Sequence, residues 1–87
     1  MRLQEPDQAL IERWIELHPQ RLDPDEARLV RYGIPVWSLV GYLEAVDQDV
    51  DRAAADYDVP REAVEAVVAY YRRHQGLIDA RIAANAA

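Results

Sequence analysis

Cysteine, lysine, threonine and phenylalanine are absent from this 87-residue chain, and serine occurs once, at Ser38. Without cysteine there is neither a disulfide nor a thiolate metal site. The absence also suits a reducing compartment. Ser38 has no G-x-S-x-G context, so the nucleophile inventory is nearly empty. An enzyme is not expected. The two histidines, His18 and His74, stand alone without H-x-x-x-H spacing, and each lies near an expected helix end. No metal and no cofactor are expected. No run approaches the roughly 20 apolar residues that cross a bilayer. The first residues lack a basic region followed by an apolar one, so no signal peptide is expected. These absences favour a cytoplasmic protein without a membrane partner.

What is present is acidic. The formal charge is −6, and its distribution is uneven. Residues 1–58 carry 13 acids and 6 arginines, net −7, and residues 59–87 carry 3 acids and 4 arginines, net +1. An acidic body repels phosphate backbones at long range, so nucleic acid would need a local basic patch. A chain of this length buries only about 60–65% of its unfolded surface. Its core is thin, and cover from a partner or a second copy is a natural complement.

The periodicity is mainly helical. After a loose leader at residues 1–6, Asp7 can cap a helix to about Leu17, with Leu10, Ile11, Trp14, Ile15 and His18 on one stripe. Pro19 would end it. Asp23-Pro24-Asp25 centres a turn, and residues 27–32 lean toward a short strand that Gly33 breaks. Pro35 opens the next helix, with Val36, Leu39, Val40 and Leu43 at i, i+3, i+4, i+7. A short helix over 50–57 and a turn at Asp58-Val59 follow. Pro60 then opens the longest helix, whose face carries Val64, Val67, Val68, Tyr71, Ile78 and Ile82. Gly76 marks a stop or hinge, and "AANAA" is expected to fray.

The expected fold is a single mainly α domain. Residues 1–26 supply an extra helix and turn, 27–75 a tri-helical helix-turn-helix-like core with one short strand, and 76–87 a C-terminal arm. Ala54, Asp58 and Val64 have the spacing at which two helices cross closely around a turn. The second helix would then present Arg61, Glu62, Glu65, Ala66, Ala69, Arg72 and Arg73. Arg61, Arg72 and Arg73 are the candidate DNA contacts, and the glutamates beside them are poor company for phosphates. Asp47, Asp49, Asp51 and Asp58 imitate a calcium loop, but Arg52 replaces its glycine and the last ligand is Asp. Helix capping is the better reading.

Two surfaces remain. Trp37, Gly41 and Glu44 flank the apolar stripe of the second helix, where a glycine beside an indole admits another backbone. Both core packing and an interface are open for Trp37. On the C-terminal segment, Tyr70, His74, Leu77 and Arg81 form a stripe beside Ile78 and Ile82. That segment is either a solvated end or an arm that docks on a partner. The candidate partner contacts are Trp37, Tyr70, His74, Leu77, Ile78, Arg81 and Ile82.

"YGIPVWSLVGYL", "DVDRAAADYDVPREAVEAVVAYYRRH" and "LIDARI" together resemble the family called domain of unknown function 433. The matching positions are Gly33, Pro35, Val36, Trp37, Asp56, Tyr57, Glu62, Val64, Ala69 and Tyr70, within residues 27–82. The resemblance implies a helix-turn-helix-like domain that forms homodimers and acts like VapB-type antitoxins. Its implied partner is a PIN-like ribonuclease toxin, with operator binding as a second property. The glycine-rich basic hairpin common in that family is missing, and "DEARLVRYGIPV" stands there. The resemblance thus implies a protein-interaction module, in which Arg81 could pair with the acids of a PIN-like site. The alternative is a stand-alone DNA-binding regulator.

Overall fold

The computed structural model describes residues 6–86. The expected leader therefore lies outside the described residues, apart from Pro6, which opens the first helix. Helix α1 spans Pro6–Trp14, α2 Val36–Ala45, α3 Val50–Tyr57, α4 Arg61–Arg73 and α5 Gln75–Ala86. Strands β1, Ile15–Glu16, and β2, Arg28–Leu29, pair antiparallel, and a 3-10 turn covers Pro24–Glu26. The mainly α architecture with one short strand segment agrees with the sequence pattern, and a second strand joins it.

That second strand shortens α1. Its expected end was Leu17, with Pro19 as the stop. Instead Ile15 pairs with Leu29 and Glu16 with Arg28, and the Val30 N–H donates to the Trp14 carbonyl at 2.8 Å. Arg28 Nε donates to Glu16 Oε2 at 2.9 Å across the same pair. A ladder bond has taken the backbone groups that a further helical turn would have used. Asp7 sits inside the first turn rather than capping it, where an acid still complements the helix dipole.

The α3–turn–α4 unit follows the sequence spacing closely. Asp49 caps α3 by accepting the Arg52 N–H at 3.0 Å, which is the capping role expected of the acidic run. Asp58 leaves α3 in the left-handed region at φ 57, ψ 48. The Val59 N–H reaches back to the Ala54 carbonyl at 3.0 Å, and the Asp58 N–H to that of Ala55 at 3.2 Å. This pair of bonds is a Schellman closure, and Ala54 and Val59 are both buried beneath it. Val64 is fully buried on α4.

Helix α4 is the central helix of the molecule. It touches α1, α2, α3, α5 and β1, and Ala63, Val64, Ala66, Val67, Ala69 and Tyr70 are all buried on it. Ala66 and Ala69 were expected on its exposed face. They are fully buried instead, because α1 lies along α4 and small side chains let the two helices approach. Leu29, Leu39, Leu43, Ile78, Val36, Val64 and Val67 are the largest fully buried side chains.

The chain turns again before Gly76. The His74 N–H is shared between the Tyr70 and Tyr71 carbonyls, at 3.2 and 3.1 Å, which closes α4. The His74 carbonyl then accepts the Ile78 N–H at 3.0 Å and starts α5. Gly76 lies within α5, so the hinge falls two residues earlier than expected. The segment expected to fray is helical through Ala86. Nor does residue 76 begin a projecting arm, since Ile78 joins the same buried cluster as Ala27, Val36 and Val67.

Candidate interaction surface

The seven candidate partner contacts divide sharply. Ile78 is fully buried and Tyr70 nearly so, with the Tyr70 hydroxyl donating to the Pro24 carbonyl at 2.8 Å. Both are corrected to core residues, since α5 and the 3-10 turn close over them. Burial lifts the Tyr70 hydroxyl above the ordinary tyrosine range, with the Asp25 charge adding to the effect. The His74 ring lies 4.4 Å from that of Tyr70, tilted by 36°. Ile82 is half-buried against the core.

Trp37 and Arg81 meet each other within the chain. The Arg81 guanidinium stands 5.2 Å from the Trp37 ring centroid. It also pairs with Glu26 and lies 3.7 Å from Asp25. The hydrogen bond from Arg81 holds the Glu26 carboxyl below its usual range, against the opposing effect of desolvation. Arg81 is thus a clamp between α5, α2 and the 3-10 turn, with its guanidinium already taken by carboxylates of its own chain. Beyond the backbone of its own helix and its two neighbours, no atom of the described residues comes within 4 Å of the place a Cβ on Gly41 would occupy, so the close approach expected there does not occur among them.

Tyr42 has an internal role too. Its hydroxyl donates to Asp56 on α3, and its ring meets that of Tyr57 edge-on at 5.3 Å. The Asp56 bond raises the Tyr42 hydroxyl above its ordinary range. The two aromatics of "GIPVWSLVGYL" therefore tie α2 to its neighbours on both sides, Trp37 toward α5 and Tyr42 toward α3.

Leu77 is the one member of the set whose side chain is mostly free, at 51% exposure. Leu22 at 67%, Leu17 at 46% and Tyr32 at 41% are the other large apolar side chains on the surface of the described residues. Leu77 precedes Arg81 by one helical turn, and Leu22 adjoins Arg21, which lies 3.9 Å from Glu26. Each leucine is thus close in sequence to one of the two arginines that share Glu26. Leu22 was not singled out from the sequence. Its signal is a large aliphatic residue in a turn-like stretch, off every helical stripe.

The three candidate DNA contacts are each engaged. Arg61 binds Asp51 and, at 3.0 Å, Glu65. Arg72 lies 3.6 Å from Asp7 of α1, and Arg73 donates to Gln8 of α1. The hydrogen bonds that Arg61 donates to Asp51 and then Glu65 hold its proton still more tightly. Such exposed pairs are individually weak. The position of α1 is the larger obstacle, because it covers the α4 surface that would have to enter a groove.

No protein-family model matches the chain, and neither a characterised protein nor a solved structure shows significant similarity to it. These comparisons assign the chain no function. Among the described residues, no group of His, Cys, Asp or Glu is placed to hold a metal ion, and no helix is long and apolar enough to cross a membrane.

One further group escaped the sequence pattern. Arg13, Trp14, Val30 and Arg31 line a cavity of about 90 Å³. The Arg13 guanidinium lies 5.6 Å from the Trp14 ring centroid and 3.4 Å from Glu62. The Trp14 indole N–H is shielded and has no acceptor. Leaving such a donor unmet costs about 1–3 kcal/mol. Arg31 holds the left-handed region at φ 73, a conformation that strains a non-glycine residue. No sequence periodicity links residues 13–14 with 30–31. Only the β1–β2 pairing brings them together.

Proposed function

We propose that the chain is a protein-interaction module of the antitoxin-like kind, acting inside the cell on a PIN-like ribonuclease. The observation that carries this reading is the pair of exposed leucines, Leu22 next in sequence to Arg21 and Leu77 one helical turn before Arg81, two arginines that share Glu26. Apolar side chains bordering fixed charges are the composition of a protein interface, with an anchor to bury and a polar rim. The contact surface moves from the arm expected earlier to this edge. The resemblance of residues 27–82 to the domain of unknown function 433 family supplies the toxin part of the proposal. A homodimer belongs to the same proposal.

The test is co-expression with the product of the adjacent reading frame. A stable complex with a ribonuclease, and loss of nuclease activity within it, is the expected result. Leu22→Asp with Leu77→Asp should break the complex and leave the thermal midpoint of the free chain unchanged. A neighbouring ribonuclease that stays fully active and unbound would defeat the reading.

The DNA-binding alternative draws on one observation, the α3–turn–α4 unit with its left-handed Asp58. A mobility-shift experiment at low salt on upstream DNA tests it. Binding that is lost in Arg61→Ala and Arg72→Ala would support it. The cover of α4 by α1 favours the opposite result.

A further inference from the structure

Each described arginine except Arg31 has a carboxylate or amide partner. Arg13 has Glu62, Arg21 and Arg81 share Glu26, Arg28 has Glu16, Arg52 has Asp56, Arg61 has Asp51, Arg72 has Asp7 and Arg73 has Gln8. In a chain with 16 acids and 10 arginines, an arginine without a partner is the unusual one. Arg31 is also the residue whose backbone is held at φ 73, at the tip of the turn after β2. That strained turn places Arg31 on the cavity it lines with Arg13, Trp14 and Val30. Arg31 thus sets strained backbone and an unpaired cation on a small cavity, beside a tryptophan whose own N–H has no acceptor, a combination that a ligand would explain.

We propose that Arg13, Trp14, Val30 and Arg31 form a binding site for a carboxylate group. Arg31 and Arg13 supply the charge, since guanidinium and carboxylate match in planar, paired hydrogen bonds. Trp14 and Val30 supply an apolar wall for the carbon attached to it. A phosphate dianion fits less well. The chain is already at −6, and the Glu62 carboxylate stands 3.4 Å from Arg13, so a second negative charge on the ligand doubles the repulsion. The cavity volume suits a small carboxylate or the end of an acidic side chain. This site is separate from the Leu22–Leu77 edge and does not depend on the antitoxin-like reading.

The test uses the full chain labelled with nitrogen-15 and follows its two indole N–H signals. Trp37→Phe assigns them, because it leaves the Trp14 signal alone. Sodium acetate, a short polyglutamate peptide and sodium phosphate are titrated against sodium chloride at equal ionic strength. A saturable shift of the Trp14 signal with acetate, while the Trp37 signal stays in place, is expected, with phosphate weaker. A response to acetate points to a free carboxylate ligand. A response to polyglutamate alone points to an acidic segment of another protein. Arg31→Gly should weaken either response by about tenfold or more. Glycine accepts φ 73 without strain, so this variant keeps the fold, and an unchanged spectrum elsewhere verifies it. Arg31→Gln, which removes only the charge, should behave alike. The proposal is overturned if no carboxylate moves the Trp14 signal beyond chloride, or if Arg31→Gly binds as the parent does.

Discussion

The Arg81 guanidinium lies over the Trp37 ring, 5.2 Å from its centroid, and at the same time grips Glu26. One side chain thus joins α5 to α2 through an aromatic face and to the 3-10 turn through a carboxylate. A cation held over an indole is attracted by the ring's negative face, more strongly where water is partly excluded. The arrangement gives the indole an internal partner and uses α5 to provide it. A thin core has recruited its own C-terminal helix as cover.

It follows that α5 is needed for stability. Ile78 is fully buried and belongs to the same cluster as residues from α2 and α4. Ile78→Ala should cost about 2–5 kcal/mol, measured as a shift of the urea unfolding curve. Leu77→Ala, one residue away and half exposed, should change the curve by less than about 0.5 kcal/mol. Equal and small effects at both positions would mean that α5 does not belong to the folded unit.

The alkaline side of the stability profile should report Tyr70. Its folded pKa is raised by burial, so its neutral form is favoured in the native state. The stabilisation is fully present below the unfolded value, about 10, and is lost as pH rises through the higher folded value. Urea midpoints followed from about pH 8 to 11 should fall for the parent. Tyr70→Phe removes the hydroxyl and its bond to Pro24, so it starts lower by about 1 kcal/mol at neutral pH and then declines less steeply. Parallel declines in the two proteins would contradict a buried, hydrogen-bonded hydroxyl.

Asp58 occupies a position that glycine fills with less strain. At φ 57 it is the left-handed residue of the closure between α3 and α4, and its side chain is exposed. Asp58→Gly should stabilise the chain by a few tenths to about 1 kcal/mol, because relief of the strained backbone outweighs the extra freedom of the unfolded glycine. Asp58→Val should destabilise it, since β-branching suits that region least. Thermal unfolding of the three proteins orders them, and a Gly variant less stable than the parent would show that the Asp side chain holds the turn.

The sequence makes some of these elements plain and hides others for physical reasons. The α3–turn–α4 unit is legible because its signals are local: a capping Asp49, the small Ala54 and a polar residue at the turn. Helix α2 is legible from Pro35 and a regular apolar stripe. Strand β1 is hidden because Ile15 continues the helical stripe of α1, and only its distant partner Leu29 draws it out. The break at His74 has no glycine or proline at it. The direction in which Ile78 must point decides it. The cavity of Arg13, Trp14, Val30 and Arg31 is hidden for the same reason as β1, since it exists only once the two strands have paired. Composition, in turn, conceals which arginines are already engaged.

The most decisive substitution concerns alanine. Ala66 is the kind of residue that reads as neutral surface, and on a recognition helix it would face a groove. In this fold it is fully buried on a helix that α1 covers. Ala66→Leu therefore forces extra methyl groups into a closed contact and should cost about 1–3 kcal/mol. On an exposed helix the same change would be neutral or slightly favourable, since leucine and alanine are both good helix formers. Denaturation of this one variant thus separates a central helix from a DNA-reading one without any DNA in the experiment. An unchanged midpoint would mean that α1 leaves this face of α4, and the case against groove entry would fall with it.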